Sequence, residues 1–242
     1  MPSIQRSTHG NILDLFNFTA AQDPGLVAVT GPSDTLTYRD LSKRQAVLAE
    51  RFRALNIKAD VTIAVCLERS TELIIGVLGI LKAGSAYLPI DPTYPVERIA
   101  LMLEDARPGL ILTDHAHQHL FASSKVPVLL IEDVDFTNGP AFNGPSPARP
   151  ADPCYILFTS GSTGRPKGVV MHHAPLLNLI EWQVRTSVLG PGAKTLQFAP
   201  ISFDVSFQEI FTTFAQGGTL VLITDEDRLN STQLLRKIIT EQ

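Results

Sequence analysis

The chain has 242 residues, of which 44% are hydrophobic and 18% charged, with a formal net charge of −4. That is enough apolar material for a substantial core and too little charge for a largely disordered chain. No basic run stands out and no apolar run is long enough to span a bilayer, so neither nucleic acid nor a membrane is an expected partner.

Strand-like and helix-like segments alternate, which predicts an α/β fold of layered, mostly parallel sheets flanked by helices. Thr37 followed by Asp40 has the spacing of a capping box, and Leu41, Leu48, Phe52 and Leu55 then fall on one helical face. VTIAVC at 61–66 reads as a buried strand. Ser70 can cap a helix whose Leu73, Ile74, Val77, Leu78 and Leu81 form an apolar stripe, and Gly76 and Gly79 within it permit close packing. Pro95 suits the start of a helix carrying Ile99 and Leu103. LILT at 110–113 and VPVLLI at 126–131 follow as strands, so these pieces read as βαβ units with parallel pairing. His115, His117 and His119 alternate, and a solvated loop is the expected reading.

Residues 135–153 break the pattern with Gly139, Pro140, Gly144, Pro145, Pro147, Pro150 and Pro153 and few large apolar residues. The segment is expected to be a surface connection between a first lobe, about 11–134, and a second, 154–242. In the second, a strand leads into a Ser/Gly-rich loop, a helix falls near 175–187, and strand TLQF, a helix over 205–215 and strand TLVLI at 219–223 follow. Trp182 and Phe207 fall at helical positions expected in the core. Asn230 can cap a last helix with Leu234, Leu235, Ile238 and Ile239 on one face. Cys66 and Cys154 each sit in an apolar strand-like run and read as buried free thiols. With no signal-peptide pattern, a reducing, cytoplasmic compartment is the expectation.

The loop, YILFTSGSTGRPKG at 155–168, carries the chemistry. Glycines let a backbone turn sharply and bring its N–H groups close to an oxyanion. The hydroxyls of Thr159, Ser160, Ser162 and Thr163 can each donate to a phosphate oxygen, and Lys167 adds a point charge on a flexible stem. The loop is not the P-loop of the common NTPases, because Pro166 precedes Lys167, Gly168 follows it, and a strand follows where a helix would be needed. A surface hairpin of this composition needs no ligand. The order of hydroxyls, glycines, Pro166 and Lys167 favours a polyphosphate.

Residues 155–168 resemble the phosphate-binding loop of the adenylate-forming superfamily, which includes acyl-CoA synthetases, luciferases and the adenylation domains of nonribosomal peptide synthetases. Three further stretches resemble the peptide-synthetase branch: LTYRDL at 36–41, with Asp40 where Glu is more usual, LKAGSAYLPIDPTYPVERI at 81–99, and FDVSFQEIF at 203–211. The likeness runs from about Asn11 to Gln242 in the family's order.

The resemblance implies a two-step activation: ATP, with Mg²⁺, converts a substrate carboxylate to an acyl-adenylate, and a thiol then takes the acyl group. In the peptide-synthetase branch the resemblance implies that this thiol is the phosphopantetheine of a peptidyl carrier protein. It implies that Thr159, Ser160, Gly161, Ser162, Thr163, Gly164 and Lys167 hold the ATP phosphates, with Thr163 also near the Mg²⁺ ion. Lys167 and His173 become the candidate catalytic residues, His173 in a positioning role. On position alone Asp204 reads as a helix N-cap within a mostly buried run. The resemblance instead makes it the partner of a substrate α-ammonium, with Val205 and Gln208 in the side-chain pocket. An acyl- or aryl-CoA ligase fragment is the alternative, against which Asp204 argues. A non-catalytic truncated or split module needing a partner chain is another. The family's adenine, ribose and C-terminal lysine motifs are not in this sequence, so the chain is expected to match the first part of the large adenylation subdomain. It is also expected to be inactive alone, and to expose apolar surface between Leu196 and Ile239.

Overall fold

The computed structural model describes residues 10–159 and 165–240. Helix α1 (Leu13–Gln22) is followed by β1 (Val27–Thr30), β2 (Thr35–Thr37), α2 (Tyr38–Ala54), β3 (Ile63–Cys66), α3 (Thr71–Lys82) and β4 (Tyr87–Pro89). Next come α4 (Val96–Ala106), β5 (Leu110–Thr113), β6 (Val128–Leu130), β7 (Pro153–Thr159), β8 (Lys167–His172) and α5 (His173–Thr186). The described chain ends with β9 (Lys194–Gln197), α6 (Asp204–Ala215), β10 (Thr219–Leu222), α7 (Asp225–Leu229) and α8 (Ser231–Thr240). The strands form two sheets, ordered β2-β1-β10-β9 and β6-β5-β3-β4-β7-β8. Pairing is parallel except for the β1–β2 and β7–β8 hairpins.

The central strands β3, β4 and β5 of the larger sheet are buried on both faces, and the period of two sorts their side chains. Ile63 and Val65 of β3 and Leu110 and Leu112 of β5 join the main core with α3, while Ala64, Cys66 and Ile111 turn to a second core under α4. The caps read from the sequence form. Thr37 and Asp40 exchange capping-box bonds at the start of α2, and Ser70 Oγ accepts from Leu73 N at 3.2 Å. Helix α3 is buried all round, and its glycines serve two faces: Gly76 approaches Leu112 in the sheet and Gly79 approaches Leu48 in α2.

The two-lobe division does not survive. Strand β1 pairs with β10 and β4 with β7, so chain from both sides of 135–153 shares both sheets. Composition reports only the local chain, and these pairs close across long sequence separations. The Pro-rich segment is a strap tied to the middle of α2 and the last turn of α3: Phe142 N donates to Ala46 O at 2.9 Å and Ser146 Oγ to Leu81 O at 2.7 Å. Among the described residues, no helix is long and apolar enough to cross a membrane. Phe198, Phe203, Val205, Leu229, Leu235, Ile238 and Ile239 are exposed, as expected for the last segment of the chain.

A Cβ on Gly79 would lie 2.8 Å from Leu48 Cδ2 and 3.0 Å from Leu48 Cβ, and that Cβ cannot swing aside. Gly79→Ala is therefore expected to destabilise the fold by about 1–3 kcal/mol in urea unfolding. Gly25→Ala, where a Cβ meets nothing within 4 Å, should stay within about 0.5 kcal/mol of the parent.

Candidate functional site

Strands β7 and β8 close the Ser/Gly-rich loop, with Thr159 paired to Lys167 at its neck. Ser160, Gly161, Ser162, Thr163 and Gly164 lie outside the described residues. Both neck residues are exposed, and Thr159 Oγ1 lies 3.5 Å from Lys167 O. Gly168 keeps the ladder tight: a Cβ there would meet the Phe158 ring at 3.2 Å. Strand β7 runs parallel to β4, and β4 to β3, so the loop emerges at the carboxyl edge of the larger sheet. That edge is where open α/β sheets bind ligands.

Helix α6, which packs on β7 through Phe207 and Tyr155, carries the second candidate group. Asp204 is its first residue; Phe203 is the N-cap, and no side chain makes a capping bond there. The N-cap reading of Asp204 therefore does not hold. Nor is the start of FDVSF buried: Asp204 is exposed, and Phe203 is 59% exposed. The helical period is the reason, since Ser206, Phe207, Ile210, Phe211 and Phe214 take the inward face and leave 203–205 outside. Phe207 packs on Tyr155 of β7 with ring centroids 5.4 Å apart, and Tyr155 on Tyr87 at 5.7 Å. This contact ties the helix carrying Asp204 to the strand entering the loop. Burial, with Cys154 and then Asp204 adding to it, pushes the Tyr155 hydroxyl up to about 12. Val205 is also exposed. Gln208, one turn past Asp204, is held by a relay: Thr212 Oγ1 donates to Gln183 Oε1 at 2.9 Å, and Gln183 Nε2 donates to Gln208 Oε1.

The segment joining β9 to α6 is fixed by two residues to which the sequence reading gave no role, Arg69 outside the quoted motifs and Glu209 within FDVSFQEIF. Arg69, three residues past β3, donates from Nε to Gln197 Oε1 at 2.6 Å, from Nη1 to Ile223 O at 3.1 Å and from Nη2 to Phe198 O at 3.2 Å. Glu209 of α6 accepts from Phe198 N at 3.1 Å, from Ala199 N at 3.1 Å and from Gln197 Nε2 at 3.3 Å. Burial raises the Glu209 carboxyl above its ordinary value, and these donors work against that rise. The one available signal was a lone carboxylate between Phe207 and Ile210, since a carboxylate among large apolar residues needs partners. A cavity of about 660 Å³ opens beside Arg69, but its carboxylates Asp34, Glu68, Glu72 and Glu226 do not suit a polyphosphate.

His173 does not face this site. It is the first residue of α5, on the inward stripe with Leu176 and Ile180, and it is 0% exposed. Its Nδ1 accepts from Ile12 N at 3.4 Å, its backbone N–H donates to Asp152 O at 3.2 Å, and burial pulls the imidazole down to about 4. It is a neutral core residue that fixes the start of α1 against α5, so the catalytic role expected for it is corrected. Trp182 is also corrected: two residues from Ile180 on the helix, it points away from the core and is 55% exposed. Phe207 is core, Cys66 and Cys154 are buried free thiols, and His115, His117 and His119 lie in a turn and a short 3-10 helix.

A family model described as AMP-binding enzyme matches residues 16–242. Bacitracin synthase 3 from Bacillus licheniformis is 41% identical over 229 residues, covering 94% of this chain and 4% of the relative. Gramicidin S synthase 2 from Brevibacillus brevis is 37% identical over 241 residues, covering 96% of this chain and 5% of the relative. The chain thus spans only a small part of the length of these relatives. Among solved structures, the nonribosomal peptide synthetase FmoA3 in its AMPPNP-bound form matches with a TM-score of 0.81 at 31% identity, over 89% of this chain and 23% of that one.

The buried imidazole makes stability depend on pH. His173 shifts from an ordinary 6.5 to about 4, so on acidification the unfolded chain takes up its proton before the folded chain does. Stability should fall as pH drops through that window, by up to about 3 kcal/mol. His173→Asn removes the titration, and urea unfolding across this range should show a shallower loss with pH. An unchanged slope would place the acid sensitivity elsewhere.

Proposed function

Because the chain belongs to the AMP-binding enzyme family, we propose that it forms part of a site joining an α-amino acid to ATP as an aminoacyl-adenylate. In that reaction an oxygen of the amino-acid carboxylate bonds to the α-phosphorus, and the bond from that phosphorus to the departing pyrophosphate breaks. Negative charge builds on the leaving group, so the site must position two anions and neutralise the charge. The loop after β7 is suited to the phosphates, with Lys167 as its exposed cation. Thr163, the expected neighbour of Mg²⁺, lies outside the described residues. Among the described residues no group of three His, Cys, Asp or Glu could hold a metal. Mg²⁺ at the loop would screen the phosphate charge. A carrier-protein phosphopantetheine thiol is the acceptor that completes the reading.

One observation carries the choice of an α-amino acid. Asp204 is an exposed carboxylate that caps nothing, at the outer end of the helix packed on the loop's own strand. A charged ammonium is the partner that such a group would take in a charge-assisted hydrogen bond. Val205 beside it, and Gln208 one turn on with its amide fixed by Gln183, would face the substrate side chain.

The test is ATP–pyrophosphate exchange by the full-length protein with an amino acid and with its des-amino analogue. Asp204→Ala should cost the amino acid about 1.5–3 kcal/mol in kcat/KM and spare the analogue. Lys167→Ala should weaken both alike, mainly in kcat/KM for ATP. Equal loss on both substrates in Asp204→Ala would reject the assignment of the ammonium to that carboxylate.

A further inference from the structure

We infer that Glu209, working with Arg69 through Gln197, is a positioning residue for amino-acid recognition; the inference rests on Asp204 being the ammonium partner. The segment from Phe198 to Phe203 that delivers Asp204 has weak anchors of its own. Both of its phenylalanines are exposed, and only Ala199 and Ile201 pack inward. Its backbone is held from outside. Glu209 gathers two consecutive backbone N–H groups and the Gln197 amide, and the Arg69 guanidinium takes the Phe198 carbonyl and the other end of the same Gln197 amide.

A purely packing role explains this poorly. Glu209 is half-buried at the rim of α6, beside the face that buries Phe207, Ile210 and Phe211, where an apolar side chain would avoid the desolvation that raises the Glu209 carboxyl. What a carboxylate adds is a surplus of acceptors that sets the direction of two adjacent N–H groups, and so fixes the chain path into the turn where Phe203 N donates to Pro200 O at 2.9 Å. Asp204 begins the helix directly after that turn. Glu209 lies five residues further along the same helix, so loop and carboxylate are locked to one rigid body. Arg69 adds the larger sheet to that body, because it follows β3 and also binds Ile223 O at the end of β10. The phosphate loop emerges from the carboxyl edge of that larger sheet, so the clamp sets the distance between the two halves of the site.

Exchange kinetics of the full-length protein test this in two backgrounds. Glu209→Gln keeps the shape but turns an N–H₂ toward donors. It should raise KM for the amino acid by about tenfold, leave KM for ATP unchanged, and lower the preference over the des-amino analogue. In an Asp204→Ala background the same substitution should leave amino-acid KM unchanged, because nothing remains to position. An equal effect in both backgrounds, or a fall in kcat with unchanged amino-acid KM, overturns the inference and leaves a structural clamp. If Asp204→Ala alone leaves the amino-acid preference intact, the underlying reading fails and the positioning role with it. Should Glu209→Gln not fold, Gln197→Met cuts the bridge between Arg69 and Glu209 together with the bond from Gln197 Nε2 to Ala199 O, and leaves the Glu209 bonds to the Phe198 and Ala199 N–H groups in place. It should show the same selective rise in KM, and a uniform loss would again overturn the inference.

Discussion

The guanidinium of Arg69 leaves the end of β3 in the larger sheet and meets three acceptors at the ends of β9 and β10 in the smaller one. Two mostly parallel sheets packed through a shared core are free to slide by small amounts, since hydrophobic contact is not directional. Hydrogen bonds from a planar, rigid fork remove that freedom. Glu209 completes the arrangement from α6, so the carboxyl edges of both sheets and the first turn of α6 keep one geometry. Everything attributed to the site depends on that geometry, because neither Lys167 nor Asp204 is held by a strong partner of its own among the described residues.

A second connection runs through the aromatic line Tyr87, Tyr155, Phe207 and Phe211, with successive centroids 5.7, 5.4 and 4.5 Å apart. It crosses from β4 through β7 to α6, so it links the strand that enters the loop to the helix that starts at Asp204. Packing sets the separation of these elements and the polar clamp sets their register. The two act on different faces of α6: Phe207 and Phe211 are buried, while Glu209 is half-buried at the rim. Behind them the all-buried α3 fills the space between α2 and the larger sheet, which its glycines make narrow enough to close.

Much of this was legible in the sequence. Elements with a strong period or a cap were readable: Thr37 with Asp40, Ser70 with its stripe, and Asn230, whose Oδ1 accepts from Thr232 N at 3.1 Å. The short strands β1, β2 and β4 were not, because three or four residues carry no period and Pro89 argues against a strand. They exist because neighbours pair with them, Val65 with Pro89 and Val29 with Leu220, and such pairing is invisible locally. The same blindness split the chain falsely at 135–153. At the site, the loop and Asp204 came from a motif, whereas Arg69 and Glu209 act across 128 and about ten positions of sequence respectively and meet only in the fold. His173 shows the opposite error. Its place after the loop strand was readable, but the face of α5 it occupies sends it into the core.

The central claim is that Asp204, held by this clamp, meets the ammonium of an activated amino acid beside the phosphate loop. A crystal structure of the full-length protein with a non-hydrolysable aminoacyl-adenylate analogue measures this directly. The account predicts an Asp204 oxygen about 2.7–2.9 Å from the α-nitrogen, with the Phe198 and Ala199 N–H groups still on Glu209. An ammonium solvated or bound elsewhere, with the adenylate seated on the loop, would contradict it.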